Sequence, residues 1–549
     1  MGRRFPSPIK GEGTGTHPVA DGPLTPYNGR VMTWKRPLLL YPYSPAKKSE
    51  HLYGGLTVIN PIGLEIVATA IKPMVDDLLL VDMRMEDRPL EEILRRFRPD
   101  MVAASLMWGR DAYADALIRS LPGDVTVLVG GLYATRHSDE MLEAYPNVDI
   151  LSLGYGDETT QHLLEAGSPE GLAGFWYRDR PTARAPDVRG GCPSSALGTG
   201  SDTPRKSIDR PGKSIDRPGK PDAPLVKNPL YTGRSVENMH IDRSVRRYAY
   251  PWLTLKGDNI ITSVGCPMVC AFCKWRENIF GEVQPWIGRS AEDVVDELAE
   301  TDAPIVHLVD ANFAADTDRV ERICDLLIER DIRHLYACEI RVNPLYKSAR
   351  LVKKMEQAGF FMFMVGLESY QPRLLKAMRK GYSVKMARKA FRHLAETKIL
   401  TLGNFLIGNP GETEDEMFAI ADYAADLGVD FISPNKIYAY EDSDFERWVL
   451  AQPGMKVVGR RRYVVSDSCG VEDLRRIQAR IMLRFLAKHP PWIPYRKVLA
   501  HPMVQKIGRE RMRRAMLRSL WNHVADPSFR RRAVKRLAKR FRLSARAAT

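Results

Sequence analysis

Three cysteines stand close together in the run Cys266-Pro-Met-Val-Cys270-Ala-Phe-Cys273. Thiolates are the usual protein ligands of iron–sulfur clusters, and this C-x3-C-x2-C spacing supplies three of them from one short loop. Three ligands for a cluster of four irons leave one iron open to bind a substrate or a second cofactor. The cysteines are therefore predicted to be metal ligands at the centre of catalysis, with Phe272 as an aromatic neighbour of the bound cofactor.

A structural zinc site is the alternative interpretation of these cysteines. Zinc prefers four tetrahedral ligands, which commonly come as two close pairs. Here three cysteines cluster, and no fourth cysteine or histidine follows within a short loop. Cys324 and Cys338 lie inside apolar segments, as core residues do, and Cys192 and Cys469 lie in polar loops. The ligand rules therefore favour an iron–sulfur cluster over zinc.

At these residues the chain resembles the radical S-adenosylmethionine (SAM) superfamily, whose motif is C-x3-C-x-aromatic-C. The resemblance covers roughly Tyr250 to Tyr440. It implies that the open iron of a [4Fe-4S] cluster is chelated by the amino and carboxyl groups of SAM. It also implies that an electron donor such as flavodoxin or ferredoxin drives cleavage of SAM into methionine and a 5′-deoxyadenosyl radical.

The segment around this motif alternates between predicted strands and helices. The strands are predicted at Ile260–Val264, Ile305–Asp310, Leu335–Ile340, Phe361–Glu368, Leu402–Ile407 and Phe431–Tyr438. Six βα units fit a partial (β/α)6 barrel, which carries its reactive groups at the carboxyl ends of the strands. The cysteine loop follows the first predicted strand, where that architecture needs it.

Further strand ends match positions that contact SAM in the superfamily. The residues that this resemblance predicts to bind the cofactor are Asp310, Asn312, Glu368, Ser369 and Gly408. Carboxylates suit an ammonium group and ribose hydroxyls, and glycine allows contact with the backbone. For each of them an ordinary turn or a capped helix start is the alternative, and Thr413 with Glu416 has the spacing of a helix capping box.

The first part of the chain also alternates between short apolar strands and helices. Strands are predicted at Leu38–Tyr43, Leu78–Met83, Val102–Leu106, Thr126–Gly131 and Ile150–Gly154. This pattern predicts a parallel, doubly wound, Rossmann-like sheet that binds a ligand at the carboxyl ends of its strands. Gly130 and Gly131 close the fourth strand, and Gly154 and Gly156 follow the fifth, where glycine lets the backbone approach a bulky ligand. A Rossmann-like layer without a ligand is the alternative.

Together with the cysteines, this domain resembles the cobalamin-binding domain of the cobalamin-dependent (class B) radical SAM family, over roughly Pro37 to Arg178. Members carry a Gly-Gly-x-His-x-Thr-like turn and a Gly-Glu-Gly-Glu-like turn, which correspond here to residues 130–135 and 154–158. Tyr133 replaces the histidine of the first turn, and the chain has no Asp-x-His-x-x-Gly motif. The resemblance implies bound cobalamin without a motif histidine as its lower axial ligand, although some relatives keep the domain and have lost the cofactor.

Two segments of unusual composition separate these regions. Residues 1–31 are rich in Gly, Pro and Thr and are predicted to be disordered or to precede the true start. Residues 207–213 are repeated at once as 214–220 in Pro- and Gly-rich surroundings, so a disordered linker is predicted there. The predicted division of the chain is 1–31, 32–180 for the cobalamin domain, 181–225 for the linker, 226–445 for the radical SAM core and 446–549 for a basic helical region.

The basic helical region holds most of the chain's net charge of +15, since residues 501–549 contain 15 Lys and Arg against 2 Asp and Glu. Phe529, Ala533, Leu537 and Phe541 recur at four-residue intervals within it. An apolar stripe on a cationic helix predicts peripheral contact with an anionic membrane, at the inner surface of the membrane for a cytoplasmic protein. A solvated tail, a helix docked on the barrel and nucleic-acid binding are the alternatives, and no RNA-binding fold signature is present.

Composition restricts the remaining possibilities. Seven cysteines in 549 residues do not make a disulfide framework, and a cluster needs reduced thiols, so the cytosol is predicted. There is no run of about 18 apolar residues that would predict a transmembrane helix, and the first residues lack the apolar region of a secretory signal.

The expected reaction is methylation of an unactivated carbon on a hydrophobic small molecule. The overall layout is similar to the hopanoid methylases, so a hopanoid lipid is the first substrate hypothesis. Tailoring of a tetrapyrrole, an antibiotic or a peptide, by methylation, cyclisation or rearrangement, is the main alternative. A tRNA-modifying enzyme and a non-enzymatic cobalamin- or redox-sensing module are the remaining alternatives.

Overall fold

The structure is a computed structural model that describes residues 32–44, 58–107, 109–178, 225–229, 239–252, 254–441, 443–459 and 461–525. The predictions for residues 1–31, for the tandem repeat and for the apolar stripe of the C-terminal tail fall outside these ranges. Within them, no helix is both long and apolar enough to cross a membrane.

The N-terminal domain is a seven-stranded sheet with helices on both faces. Its strands are β1 (Pro37–Tyr41), β2 (Leu79–Asp82), β3 (Met101–Ser105), β4 (Thr126–Gly130), β5 (Ile150–Ser152), β6 (Phe175–Arg178) and β7 (Leu225–Lys227). They lie in the order β2-β1-β3-β4-β5-β6-β7, with β1 to β5 parallel and β6 and β7 antiparallel. Leu38, Leu39 and Leu40 are fully buried, as expected for a parallel strand covered on both faces.

The described part of this domain has six α-helices. They are α1 (Ile62–Ile71), α2 (Leu90–Phe97), α3 (Ala112–Arg119), α4 (Leu132–Arg136), α5 (Ser138–Ala144) and α6 (Gly156–Ala166). The sequence did not predict α4 and α6, which begin directly at the glycine turns that follow β4 and β5. The predicted Rossmann-like fold is confirmed, and its last strand, β7, comes from beyond the tandem repeat.

The second domain is a curled sheet of six parallel strands with one antiparallel strand at its edge. Its strands are β8 (Tyr250–Trp252), β9 (Leu255–Ile260), β12 (Ile305–Leu308), β13 (Leu335–Ile340), β14 (Phe360–Glu368), β15 (Leu400–Ile407) and β16 (Phe431–Lys436), with the small pair β10 (Ser263–Val264) and β11 (Ile287–Gly288) beside them. The order is β16-β15-β14-β13-β12-β9-β8. This is the predicted partial (β/α)6 barrel.

Helices cover the outside of this barrel. They are α7 (Ala291–Glu300), α8 (Thr317–Glu329), α9 (Val342–Lys347), α10 (Ala349–Ala358), α11 (Pro372–Ala377), α12 (Val384–Ala395) and α13 (Glu414–Leu427). Side chains fix several helix starts: Ser290 and Ser383 accept hydrogen bonds from backbone N–H groups of the first turn, and Thr413 with Glu416 forms the predicted capping box.

The first barrel strand lies earlier than predicted, at Leu255–Ile260 instead of Ile260–Val264. A hairpin with β8 starts it early, and the chain turns out of the sheet after Ile260. The backbone N–H groups of Thr262 and Ser263 then donate to Asp310 instead of to a strand of the barrel sheet.

The two domains are joined by an apolar contact and by buried ion pairs. Ile62 and Ile66 of α1 pack against Ile241, which precedes the barrel. Beside them Arg246 makes ion pairs with Glu65 of the N-terminal domain and Asp258 of β9, at 2.8 and 2.6 Å. Because both acidic side chains are almost fully buried, these pairs fix how the two domains meet.

The C-terminal region closes the other end of the barrel. It consists of α14 (Asp444–Leu450), the hairpin β17 (Met455–Val458) and β18 (Tyr463–Ser466), and the helices α15 (Val471–Lys488), α16 (Trp492–Leu499), α17 (Pro502–Ile507) and α18 (Arg509–Ala525). Val498 and Met503 pack against residues such as Ile305 and Leu335 at the amino ends of the barrel strands. The open end is therefore the carboxyl end, where the cysteine loop lies.

Candidate functional site

The cysteine loop turns sharply at the carboxyl end of β9. Gly265 has φ of +74°, and a Cβ atom there would lie 2.7 Å from the carbonyl oxygen of Pro285, so only glycine fits. Cys270 is buried, whereas Cys266 and Cys273 are half-buried, and none of the three forms a disulfide. Burial raises the pKa of Cys266 and raises that of Cys273 to about 11. Bound iron would have to replace these thiol protons.

Asp310 ties this loop to the neighbouring strand. Its carboxylate accepts hydrogen bonds from the backbone N–H and hydroxyl of Thr262, at 2.8 and 2.5 Å, and from those of Ser263, at 3.1 and 2.9 Å. These four bonds fill the acceptor positions of a fully buried carboxyl group, whose pKa desolvation raises. We therefore expect Asp310 to hold the cysteine loop, and its predicted contact with SAM stays a prediction.

A chain of buried polar groups leads from Cys270 to Glu368. Nη1 of Arg341 donates to Sγ of Cys270 at 3.1 Å, and Nη2 of the same side chain donates to the carbonyl oxygen of Lys380. Nζ of Lys380 in turn donates to Oε1 of Glu368 at 3.0 Å. The sequence analysis did not single out Lys380, which lies twelve residues beyond Glu368.

Two residues at the carboxyl ends of the barrel strands have features that fit a bound SAM molecule. Glu368 has φ of +57°, a conformation that a residue with a Cβ atom adopts at a cost and that often marks a functional site. Oδ1 of buried Asn312 has no hydrogen-bond partner among the described residues, so a ligand donor such as an ammonium group would satisfy it. Ser369 is buried beside Glu368, and its hydroxyl accepts a hydrogen bond from the backbone N–H of Gln371.

The turn after β15 is shaped by Gly408 and Glu412. Gly408 has φ of +84°, and a Cβ atom there would press against Leu474 at 3.0 Å. Oε2 of Glu412 accepts from the backbone N–H groups of Gly408 and Asn409, at 3.0 and 3.1 Å, while its Oε1 has no partner among the described residues. Desolvation raises the pKa of Glu412 to about 7.

This raised pKa predicts how stability changes with pH. The unfolded chain ionises Glu412 near its ordinary value of 4.5, so the folded state loses relative stability as the pH rises from there to about 7. Glu412→Gln should therefore have the same thermal midpoint as the wild type at pH 5 and a higher one at pH 7.5. The expected gain in unfolding free energy at pH 7.5 is up to about 3 kcal/mol. Glu416→Gln is the matched control, because desolvation of Glu416 is outweighed by hydrogen bonds from the backbone N–H of Thr413 and from Arg373, which lower its pKa, and it should show no such gain.

The glycines of the N-terminal domain lie at the carboxyl ends of β4 and β5, as predicted. Gly131 has φ of +96°, and a Cβ atom there would lie 2.7 Å from the carbonyl oxygen of Leu106. Gly154 has φ of +105°, and Gly130 and Gly156 pack closely on Ser152 and Val67, respectively. Glycine at Gly131 is therefore already required by the packing of the domain itself.

Tyr133, which replaces the motif histidine, does not stand alone. Its ring stacks on His137 at 4.3 Å between centroids, and its hydroxyl donates to Glu140. The side chain is engaged within its own helix and the next one.

A cavity of about 400 Å³ lies between the two domains. Its walls come from the carboxyl ends of β4 and β5, from the start of β6 and from the segment that follows the cysteines; the lining residues include Thr135, Arg136, Leu153, Trp176, Lys274 and Phe280. Arg136 crosses the gap, donating to the carbonyl oxygens of Asn278 and Ile279 at 3.1 Å each. Residues next to the glycine turns thus line the same cavity as Lys274, which directly follows Cys273.

The residues present fit three cofactors. Three sulfur donors on one loop suit an iron–sulfur cluster, the orphaned Asn312 oxygen suits SAM, and the interdomain cavity beside the glycine turns suits part of a cobalamin. Among the described residues, no group of three or more His, Cys, Asp and Glu side chains is drawn together around a single ion.

Two family models match the chain. Residues 260–424 match the radical SAM superfamily, and residues 56–164 match the B12-binding domain. These ranges fall in the barrel and in the Rossmann-like domain. They give the enzyme its cofactors: a [4Fe-4S] cluster, SAM and cobalamin.

Several curated proteins are similar in sequence. An uncharacterized methyltransferase of Pyrococcus horikoshii is 24% identical over 74% of this chain and 82% of its own length. The cytidylyl-2-hydroxyethylphosphonate methyltransferase of Streptomyces wedmorensis is 23% identical over 63% of this chain and 65% of its own. An anaerobic magnesium-protoporphyrin IX monomethyl ester cyclase of Rubrivivax gelatinosus is 21% identical over 62% of this chain, which spans 57% of the cyclase.

Among solved structures, the radical SAM methyltransferase TsrM of Kitasatospora setae shares the fold. Its complex with tryptophan and a SAM analogue superposes with a TM-score of 0.57 and 16% identity, over 82% of this chain and 89% of TsrM. The fold confirms the predicted order of a cobalamin-binding domain followed by a radical SAM barrel. The chain is therefore a radical SAM enzyme with a B12-binding domain, and it is similar to radical SAM methyltransferases in sequence and in fold.

Proposed function

We propose that the enzyme transfers a methyl group to an unactivated carbon of a hydrophobic small molecule. The observation that carries this proposal is a set of large apolar side chains around the cysteine loop. These side chains are exposed at the open end of the barrel and are Val269, Trp275, Val283, Ile287 and Tyr438. Exposed apolar side chains grouped at a site mark a surface that binds apolar partners.

The arrangement gives each part of the chain a task. Cys266, Cys270 and Cys273 would hold the cluster, Asn312 and Glu368 would bind SAM, and the glycine turns would hold cobalamin. When bound, these cofactors supply a carbon radical and a transferable methyl group, which acid–base side chains cannot. The protein would place the substrate between the barrel mouth and the N-terminal domain and keep water from it.

The names of two relatives support methyl transfer, and the name of a third indicates a second kind of reaction. Two of them are methyltransferases, whereas the cyclase acts on a magnesium-protoporphyrin ester, which is itself a large apolar ring. Cyclisation or another tailoring of a tetrapyrrole, an antibiotic or a peptide is therefore the second candidate. A hopanoid is one hydrophobic substrate of the first kind to test.

The test follows a labelled methyl group. The reconstituted enzyme, SAM labelled on its methyl group and a reductant are incubated separately with the organic-soluble and water-soluble fractions of a cell extract. We expect label in an organic-soluble product, and less of it with Trp275→Ser/Val283→Ser. Ile328→Ser, which changes another exposed apolar residue, on α8, should have no effect. Label confined to water-soluble products would refute the hydrophobic substrate.

We also propose peripheral contact with an anionic membrane, at the closed end of the barrel. Four large apolar side chains are exposed around the turn from α15 to α16: Leu483, Leu486, Trp492 and Ile493. Residues 471–525 carry 13 Lys and Arg against 3 Asp and Glu, so the helices that hold this apolar cluster have a positive charge balance. Apolar side chains in a basic surface suit the interface of an anionic bilayer.

Vesicle sedimentation tests this contact. The full chain should bind vesicles of phosphatidylcholine with 30% phosphatidylserine, and Leu483→Ser/Trp492→Ser should weaken that binding about tenfold. Ile328→Ser is again the matched control. Equal vesicle binding by Leu483→Ser/Trp492→Ser and by Ile328→Ser would refute a membrane contact through this turn. If the wild-type chain forms a dimer that dissociates in the double variant, the turn binds a second copy of the chain instead.

A further inference from the structure

We infer that Arg341 is a positioning residue for the cluster, which fixes Cys270 and raises the reduction potential of the iron–sulfur group. The inference rests on the proposed cluster ligands and adds a residue whose role they do not give. It starts from the direct contact of 3.1 Å between Nη1 of Arg341 and Sγ of Cys270.

A second contact holds the Arg341 side chain in place, so that its Nη1 stays directed at Sγ of Cys270. The side chain is buried, and its Nη2 is fixed by the carbonyl oxygen of Lys380. The following Gly381 has φ of +70°, which turns the chain so that this carbonyl group faces the arginine. A guanidinium fixed on one side presents its other N–H groups in a rigid fork.

The loop is anchored to the same segment at a second point. The backbone N–H of Ala271 donates to the carbonyl oxygen of Met378 at 3.0 Å. Nζ of Lys380 lies 5.8 Å from the ring centre of Phe272. Residues 378–381 therefore hold the loop directly after Cys270, so a change at Arg341 acts on a sulfur whose backbone is already anchored nearby.

Two cations and one anion lie near the Cys270 sulfur, which leaves one net positive charge there. Arg341 and Lys380 are positive, and Glu368 is the negative group that Lys380 contacts. All three side chains are buried, so water screens them little. A cation that donates to a ligand sulfur stabilises the more negative, reduced form of a cluster, and hydrogen bonds to the sulfurs are among the features that set cluster potentials.

This charge arrangement predicts shifts of opposite sign for two substitutions. Arg341→Gln removes the cation and should make the cluster harder to reduce. Glu368→Gln removes the compensating anion and should make it easier to reduce. General damage to the site would not move the potential in opposite directions.

The experiment is a redox titration of the anaerobically reconstituted full chain without SAM, followed by electron paramagnetic resonance of the reduced cluster. At the potential that reduces half of the wild-type clusters, the ratio of reduced to oxidised cluster should fall about tenfold in Arg341→Gln. It should rise in Glu368→Gln and stay within about threefold of the wild type in Arg341→Lys, which keeps the charge. Arg373→Gln, an exposed arginine of α11, is the control.

The outcomes separate this inference from the proposed function. Unchanged potentials in Arg341→Gln and Glu368→Gln, with clusters assembled, would overturn the role of Arg341 and leave the enzyme's function intact. A shift in Arg341→Lys as large as in Arg341→Gln would also overturn it. If Arg341→Gln takes up no iron, the Arg341→Lys and Glu368→Gln potentials decide. A wild-type chain that assembles no cluster would instead refute the proposed function itself.

Discussion

Cys270→Ala is expected to abolish both the iron–sulfur absorbance of the reconstituted protein and its cleavage of SAM. Cys270 is the most buried of the three cysteines and the one that receives a hydrogen bond from Arg341. Its loss leaves two sulfur donors for a cluster that needs three, and no other described cysteine lies in this loop. Absorbance near 400 nm and formation of 5′-deoxyadenosine measure the two effects separately.

Cys324→Ala is the matched control for this change. Cys324 is fully buried in α8, where its sulfur packs in the core of the barrel wall. Its removal should cost about 1 kcal/mol of stability and leave iron content and SAM cleavage unchanged. If Cys270→Ala retained either the absorbance or the cleavage, the assignment of the cluster ligands would be wrong.

Asp310→Ala should have the second-largest effect, because it damages both the fold and the site. The change leaves two backbone N–H groups and the hydroxyls of Thr262 and Ser263 without their acceptor in a buried place. The two hydroxyls can rotate towards other acceptors, but the two backbone N–H groups cannot. Each unsatisfied donor costs about 1–3 kcal/mol, so a loss of about 2–6 kcal/mol of unfolding free energy is expected. The same four donors set the path of the chain into the cysteine loop, so iron uptake should fall as well.

A second buried aspartate distinguishes these two effects. Asp430 accepts from the backbone N–H and hydroxyl of Thr401, at 2.8 and 3.0 Å, and pairs with Lys497, at the closed end of the barrel. Asp430→Ala should therefore lose stability to a similar degree and keep its iron content. Equal iron uptake by the two variants, when measured well below their unfolding temperatures, would contradict the role of Asp310.

Much of the fold could be predicted because local sequence signals agree with one another. The helices α7 and α13 could be recognised from their apolar spacing and from Ser290 and Thr413, which cap their starts. The alternation of strands and helices predicted both parallel sheets for the same reason. The strand β7 could not be predicted this way, because it pairs across a long segment with no periodic pattern.

The site was predictable in its cysteines and less so in its other residues. Three sulfur donors in one short loop are a local signal, whereas the contacts of Asp310 with Thr262 span 48 residues. Arg341 and Cys270 are 71 residues apart. Which carboxylate bonds to which partner depends on the register of neighbouring strands, and the sequence alone does not carry that information.

One measurement tests the central claim most directly. The protein is reconstituted anaerobically with iron, sulfide and cobalamin, given SAM and a strong reductant, and analysed by mass spectrometry, with bound cobalamin read from its absorbance. A cobalamin-dependent radical methyltransferase should retain cobalamin and form both 5′-deoxyadenosine and S-adenosylhomocysteine. Formation of 5′-deoxyadenosine without bound cobalamin or S-adenosylhomocysteine would contradict methyl transfer and point to cyclisation or rearrangement.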